Sequence, residues 1–152
     1  MIIPGLDVRL TARYGLALLR IVLGIAMLVH GWGKLNGGVD NVAGFFGGML
    51  GIPAPGLMAW VVTIVELVGG ILLVVGFLTQ IAGILIALDM LGAILFAYLL
   101  RGAPLIAENG QQISWEKEAV FAAAALCIVL AGPGAWSIDD VVAENRTRVV
   151  VT

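Results

Sequence analysis

Charged residues are scarce in this chain. Aspartate, glutamate, lysine and arginine make up 12% of its 152 residues, whereas soluble domains average about 25%. Apolar residues make up 61%. A soluble domain of this size has too much of its volume near the surface to bury so many apolar side chains. The composition therefore predicts a protein that lies in a bilayer, where lipid is the apolar solvent.

Cysteine and histidine are scarcer still, with Cys127 and His30 the single example of each. One cysteine excludes an internal disulfide and a Cys-rich metal or iron–sulfur site, and one histidine excludes a bis-histidine haem. The sequence also lacks a P-loop and a glycine-rich dinucleotide turn. A net charge of -2 without a basic run gives no reason to expect a nucleic-acid partner. We therefore expect no metal ion, no covalently bound cofactor and no autonomous enzyme.

Four apolar segments stand out, each close to the roughly 20 residues that a spanning helix needs. The predicted spans are about 14–32, 57–77, 81–100 and 116–132. Trp and Tyr favour the headgroup level of a bilayer, and here they fall at predicted helix ends: Trp32, Trp60, Trp115, Trp136, Tyr14 and Tyr98. The turn at 78–80 is short enough to force the second and third spans into an antiparallel hairpin.

The predicted fold class is an all-α integral membrane protein, an antiparallel four-transmembrane-helix bundle. Residues 1–137 would form the membrane domain and 138–152 a solvated tail. The first loop, 33–56, is long and apolar. Asp40 or Asn41 could cap a short helix from Val42 to Leu50, which we expect in the interface or over the mouth of the bundle. An irregular glycine-rich loop is the alternative.

Four crossings would place both termini on one side of the membrane. Cytoplasmic loops of membrane proteins carry an excess of lysine and arginine. The terminal side has one more basic residue than the other: Arg9, Arg13, Arg146 and Arg148 against Lys34, Arg101 and Lys117. The sequence thus predicts cytoplasmic termini.

Four ionisable residues lie well inside the predicted spans: Arg20, Glu66, Asp89 and, nearer one face, His30. Each costs roughly 2.5–3.5 kcal/mol at a helix centre, so it needs a partner or a wet cavity. Arg20 lies about 9 Å from the inner face, and Glu66 and Asp89 lie near the midplane. We predict an Arg20–Glu66–Asp89 cluster, in which the second carboxylate is uncompensated or holds a proton that it could pass on. The alternative is a structural ion pair that fixes helix register.

A second polar site is predicted nearer the outer face. His30 and Glu118 fall there, with Lys34 close by. Imidazole changes charge near neutral pH, so His30 could pass a proton. Glu118 could equally face water.

The spans resemble a known family. LLRIVLG at 18–24 and HGWGKL at 30–35 resemble the first helix of the DoxX/DoxD-like membrane proteins. VELVGG at 65–70 and GFLT at 76–79 resemble its second helix and turn, and 116–134 resembles its fourth helix. The resemblance implies four helices in the cytoplasmic membrane of a bacterium or archaeon. It also implies a redox context, because some members are subunits of a thiosulfate:quinone oxidoreductase and others join oxidative-stress complexes. Asp89 matches no family motif.

Our leading hypothesis is an accessory subunit of a quinone-linked oxidoreductase complex. Arg20 and Glu66 would form the inner polar pair, and His30, Lys34 and Glu118 would line the outer mouth around quinone or a similar lipophilic molecule. Its partners would be the bilayer and other membrane redox proteins. One alternative is a scaffold that organises partner proteins. Another is a proton-coupled carrier, which would need a homo-oligomer because four helices are too few for common transporter designs.

Overall fold

The computed structural model describes residues 7–98, 102, 104–106 and 114–143. All regular structure in these ranges is helical. The helices are α1 (Val8–Gly37), α2 (Val39–Gly44), α3 (Pro55–Val75), α4 (Thr79–Ala93), α5 (Glu116–Ala131) and α6 (138–143). Two π-helical segments, Phe45–Met49 and Ile94–Tyr98, continue α2 and α4.

The four long helices form an antiparallel bundle. Around the ring, α1 packs on α3, α3 on α4, α4 on α5, and α5 on α1. Gln80, at the start of α4, donates its side-chain N–H to the carbonyl of Val129 near the end of α5, at 3.2 Å. The rings of His30 in α1 and Phe121 in α5 meet at 5.8 Å between centroids. The predicted all-α four-helix bundle is therefore confirmed.

The outside of the bundle is apolar. Large side chains on every long helix are about half exposed or more, among them Leu18, Val68, Leu88 and Leu130. Three stretches are long and apolar enough to cross a membrane: Leu10–Gly37, Pro55–Val75 and Thr79–Phe96. Helix α5 has 16 residues, or about 24 Å against a hydrocarbon core of about 30 Å. The structure thus gives the chain a bilayer environment, with α5 shorter than each of these three stretches.

Glycines let α1 and α3 approach closely. A Cβ placed on Gly24 would lie 2.9 Å from the carbonyl oxygen of Gly70, and a Cβ on Gly70 would lie 2.8 Å from the carbonyl oxygen of Gly24. Such backbone contact through small residues is typical of membrane helix pairs. It fixes the register of the two helices, and so decides which polar residues of α1 and α3 can meet.

Arg20 lies in the half of the bundle where α1 begins and α5 ends, here called the terminal end. Its side chain is fully buried. One terminal nitrogen donates to the carbonyls of Leu73 and Val74 at 2.6 and 3.3 Å, and the other to Ala135 and Trp136 at 3.2 and 3.0 Å. The last carbonyls of a helix have no partner within it and attract a cation. Arg20 therefore joins the end of α3 to the segment after α5.

Asp139 completes this end of the bundle. Its carboxylate accepts the backbone N–H groups of Leu78 and Thr79 at 2.9 and 2.8 Å, where α4 begins. Its own N–H donates to the carbonyl of Gly76 at 3.0 Å. Residues 138–143, predicted as part of a solvated tail, form a short and largely exposed helix. Its Asp139 contacts the α3–α4 turn, because the turn has backbone groups that need partners.

Other predicted boundaries shift by a few residues. The tight turn is Gly76–Leu78, and α4 begins at Thr79. The helix predicted at 42–50 starts three residues earlier, at Val39. Leu100, most of the loop at 101–117 and residues 144–152, with Arg146 and Arg148, lie outside the described residues.

Replacing Arg20 by methionine should strongly destabilise the protein. Four carbonyls would lose a charged donor, so the free energy of unfolding should fall by roughly 3 kcal/mol or more. The measurement is reversible SDS unfolding in mixed micelles. Arg13→Met is the matched control, because Arg13 forms a partly exposed ion pair with Asp140 and should cost about 1 kcal/mol or less. Equal losses in the two variants would contradict this role of Arg20.

Candidate functional site

A cavity of about 1000 Å³ lies at the other end of the bundle, here called the cavity end. The second half of α1, the first half of α3, the second half of α4 and the start of α5 form its walls. The α2 segment and its π-helical continuation cover it through Val42, Phe45 and Phe46. The short helix predicted in the first loop is therefore present and lies over the mouth of the bundle.

Several residues that line the cavity also have large exposed fractions. Val61 of α3 and Leu85, Leu88 and Phe96 of α4 line the cavity. Their side chains are 42%, 43%, 61% and 42% exposed.

An ion pair crosses the cavity between α1 and α3. The ammonium of Lys34 donates to Oε2 of Glu66. The Glu66 side chain is 3% exposed and that of Lys34 is 24% exposed. Lys34 can reach Glu66 because α1 and α3 are antiparallel and in glycine contact, which places the end of α1 beside the middle of α3.

Asp89 enters the same cavity from α4. Its oxygen Oδ2 is buried and has no hydrogen-bond partner among the described residues. Asp89 lies close enough to Glu66 and Lys34 to interact with both electrostatically. A buried carboxyl oxygen without a donor is costly, so this position stands out from the paired groups around it.

His30, Lys117 and Glu118 line the part of the cavity next to α5. The His30 ring stands edge-on to Phe121. Glu118 is 6% exposed, and its Oε1 lies 3.4 Å from Nζ of Lys117, which is mostly exposed. The sequence left open whether Glu118 faces the cavity or water. In the structure it lines the cavity.

The structure merges the two predicted polar sites into one. Five of the six candidate residues line the cavity: His30, Lys34, Glu66, Asp89 and Glu118. Sequence reasoning missed Lys117 as a lining residue and Lys34 as the partner of Glu66. The Lys34–Glu66 pairing could have been predicted from the small residues Gly24 and Gly70. Their contact indicates the register of α1 on α3.

The prediction that Arg20 joins Glu66 and Asp89 in one cluster was wrong for Arg20. Arg20 contacts α3 at Leu73 and Val74, and Glu66 lies seven residues earlier, about 10 Å away along the helix. Backbone carbonyls at the end of α3 and after α5 accept from both terminal nitrogens of Arg20, which holds its guanidinium away from the cavity carboxylates.

The cavity carries more acid than base. Lys34 and Lys117 face Glu66, Asp89 and Glu118, with His30 uncharged at neutral pH in the formal count. Among the described residues, no three His, Cys, Asp or Glu side chains lie close enough together to hold a metal ion.

Comparison with known proteins gives the family. Residues 15–99, more than half of the chain, match the DoxX family model. This chain belongs to the DoxX family. The match runs over α1 to α4, so it includes the Lys34–Glu66 pair and Asp89 and stops before the α5 residues of the cavity.

Curated relatives agree with this assignment. CatD of Bacillus subtilis, named provisionally as an oxidoreductase, is 42% identical over 53% of this chain, and the match covers only 58% of CatD. The inner membrane proteins YqjF and YphA of Escherichia coli are 31% and 28% identical over 82% of the chain, covering 89% and 87% of their own lengths. No solved structure matches the chain significantly. These comparisons establish a membrane protein of the DoxX family that is similar to one relative named as an oxidoreductase.

Breaking the Lys34–Glu66 pair should cost more than removing it. Lys34→Met or Glu66→Gln alone should lower the free energy of unfolding by roughly 3 kcal/mol, because each leaves a buried polar group unpaired. The double variant should lose clearly less than the sum of the single losses. SDS unfolding of all four proteins measures this coupling, and Arg13→Met, at a partly exposed ion pair outside the cavity, serves as the control. Strictly additive losses would show that the two residues are not coupled.

Proposed function

We propose that this DoxX protein is a membrane-embedded accessory subunit of a redox complex and that its cavity binds quinone or a similar lipophilic molecule. The observation that carries the proposal is the apolar cavity of about 1000 Å³ with Lys34, Glu66, Asp89 and His30 converging in it. Small-molecule sites in proteins commonly have this form, with apolar walls and a few polar groups that fix orientation.

The position of the cavity favours a ligand that arrives from the membrane. Its wall shares Val61 and Leu88 with the lipid-facing surface. Phe46 and Phe121 offer faces or edges for a flat ring. The ammonium of Lys34 uses one contact on Glu66, and an ammonium has three N–H donors, so it can also donate to a ligand oxygen.

The redox role rests on the similarity to CatD, whose name describes an oxidoreductase. In this proposal a partner protein supplies the redox centre, and the DoxX subunit holds the lipophilic carrier beside it. We place the complex in the cytoplasmic membrane, because two relatives are named as inner membrane proteins.

We further propose four crossings, with α5 as the fourth and both termini in the cytoplasm. The start of α1 and the segment after α5 lie at the same end of the bundle: the N–H of Ala135 donates to the carbonyl of Arg13 at 3.0 Å. Two ends on one side require an even number of crossings. The excess of basic residues on the terminal side then favours the cytoplasm.

A scaffold is the second candidate function. The Lys34–Glu66 pair ties α1 to α3, and buried ion pairs can fix the arrangement of helices without any ligand. In that case the cavity would be incidental, and filling it would leave the assembly with partners unchanged.

Gly92→Phe tests the two candidates. Gly92 lines the cavity, and a Cβ there meets no atom within 4 Å, so the ring can occupy the space without clashing at its base. Gly15→Phe is the control, because Gly15 is equally open and lies outside the cavity. Protein purified gently from its own membrane should carry quinone, measured by mass spectrometry of the extract. We expect Gly92→Phe to lose most of it and Gly15→Phe to keep it.

The opposite result supports the scaffold. Equal quinone in the two variants, or none in the parent protein while a partner protein co-purifies, would contradict a quinone site in this cavity.

A further inference from the structure

We propose that the ligand presents a hydroxyl group to Asp89, so that the cavity selects the reduced, quinol form of the ring. This inference rests on the proposed function and names the ligand class of the same site. One carboxyl group of the cavity has no hydrogen-bond donor among the described residues.

Asp89 is a carboxyl group of the cavity that has no hydrogen-bond donor among the described residues. Glu66 accepts from Lys34, and Glu118 lies beside Lys117. Asp89 accepts no hydrogen bond from the described residues, and its Oδ2 is buried. Because Asp89 is half-buried and lines the cavity, its carboxyl group can be reached from the space where a ligand would lie.

A ligand hydroxyl is the natural partner for this group. An ionised carboxyl group only accepts hydrogen bonds, so it discriminates between an O–H and an oxygen that has no hydrogen. Bonds from a hydroxyl to a charged acceptor are stronger than neutral ones. A quinol has such hydroxyls, whereas a quinone and a quinol ether have only acceptor oxygens.

Lys34 suits the second oxygen of the same ring. Its ammonium lies next to Glu66 on the α1–α3 wall, and Asp89 lines the same cavity from α4. A ring with two oxygens could therefore donate to Asp89 and accept from Lys34. Phe46, Phe121 and His30 also line this cavity.

The test compares three probes on the protein in nanodiscs: a short-chain 1,4-benzoquinol, its dimethyl ether and the corresponding quinone. Binding is measured without oxygen, and empty nanodiscs correct for partition into lipid. We expect the quinol to bind about tenfold more tightly than the ether, or better, the value of one hydrogen bond to a charged group. In Asp89→Ala this ratio should fall to about twofold or less.

Two further variants keep the result interpretable. Asp40→Ala removes an exposed acid of α2 that does not line the cavity, and it should keep the parent ratio. Asp89→Asn is close in shape to the parent and keeps one acceptor oxygen, so it should retain part of the preference even if the alanine variant folds poorly.

The outcomes separate this inference from the proposed function. Quinone and ether that bind as tightly as quinol, and that Gly92→Phe excludes, would overturn the role of Asp89 and leave the quinone site standing. A quinol preference that persists in Asp89→Ala would overturn it as well. A preference for quinone that Asp89→Ala abolishes would show a protonated Asp89 acting as donor, which also contradicts the inference. Failure of every probe to bind would contradict both proposals.

Discussion

A charge inside a lipid bilayer has to find its partners within the bundle, and this constraint organises the molecule. Helix α1 carries two such charges, one near each end of the bundle. Arg20 meets the carbonyls at the end of α3 and after α5, which are polar groups that lipid cannot satisfy. Lys34 meets the carboxylate of Glu66. The first contact closes the terminal end through backbone groups, and the second leaves side-chain chemistry in a cavity.

The close approach of α1 and α3 makes both contacts at once. The Gly24–Gly70 contact sets one helix against the other, which brings Arg20 to the last turn of α3 and Lys34 to the middle of that helix. Asp89 enters the cavity from α4, which packs on α3. No described residue donates a hydrogen bond to its buried Oδ2. The polar groups at the cavity end are therefore only partly matched to one another. This mismatch makes the cavity a candidate binding site, whereas the terminal end is a structural joint.

Hydrophobic length and composition were enough to predict the membrane-spanning helices, because the bilayer imposes them on a chain of this composition. The short turn at 78–80 predicted an antiparallel hairpin, and the motifs at 18–24, 30–35 and 65–70 carried the resemblance to the DoxX family. The cavity residues followed from the cost of charge in lipid. The pairing of these charged residues could not be predicted, because the depth of a residue along its span does not give the register of one helix on another. Arg20 and Glu66 seemed to share a level, yet the register of α1 on α3 sets them about two turns apart. Asp139 was overlooked because a tail that follows the last span looks solvated in sequence.

The central claim is that the cavity holds a lipophilic ring, and photolabelling tests it most directly. A photoreactive quinone would be activated on the protein in nanodiscs, and the labelled peptides would be mapped by mass spectrometry. We expect labels on cavity residues from several helices, such as Phe46, Leu88 and Phe121, and competition by unlabelled quinone. Labels confined to outward-facing residues such as Leu18 and Leu130, without competition, would show that quinone only dissolves in the surrounding lipid and would contradict the account.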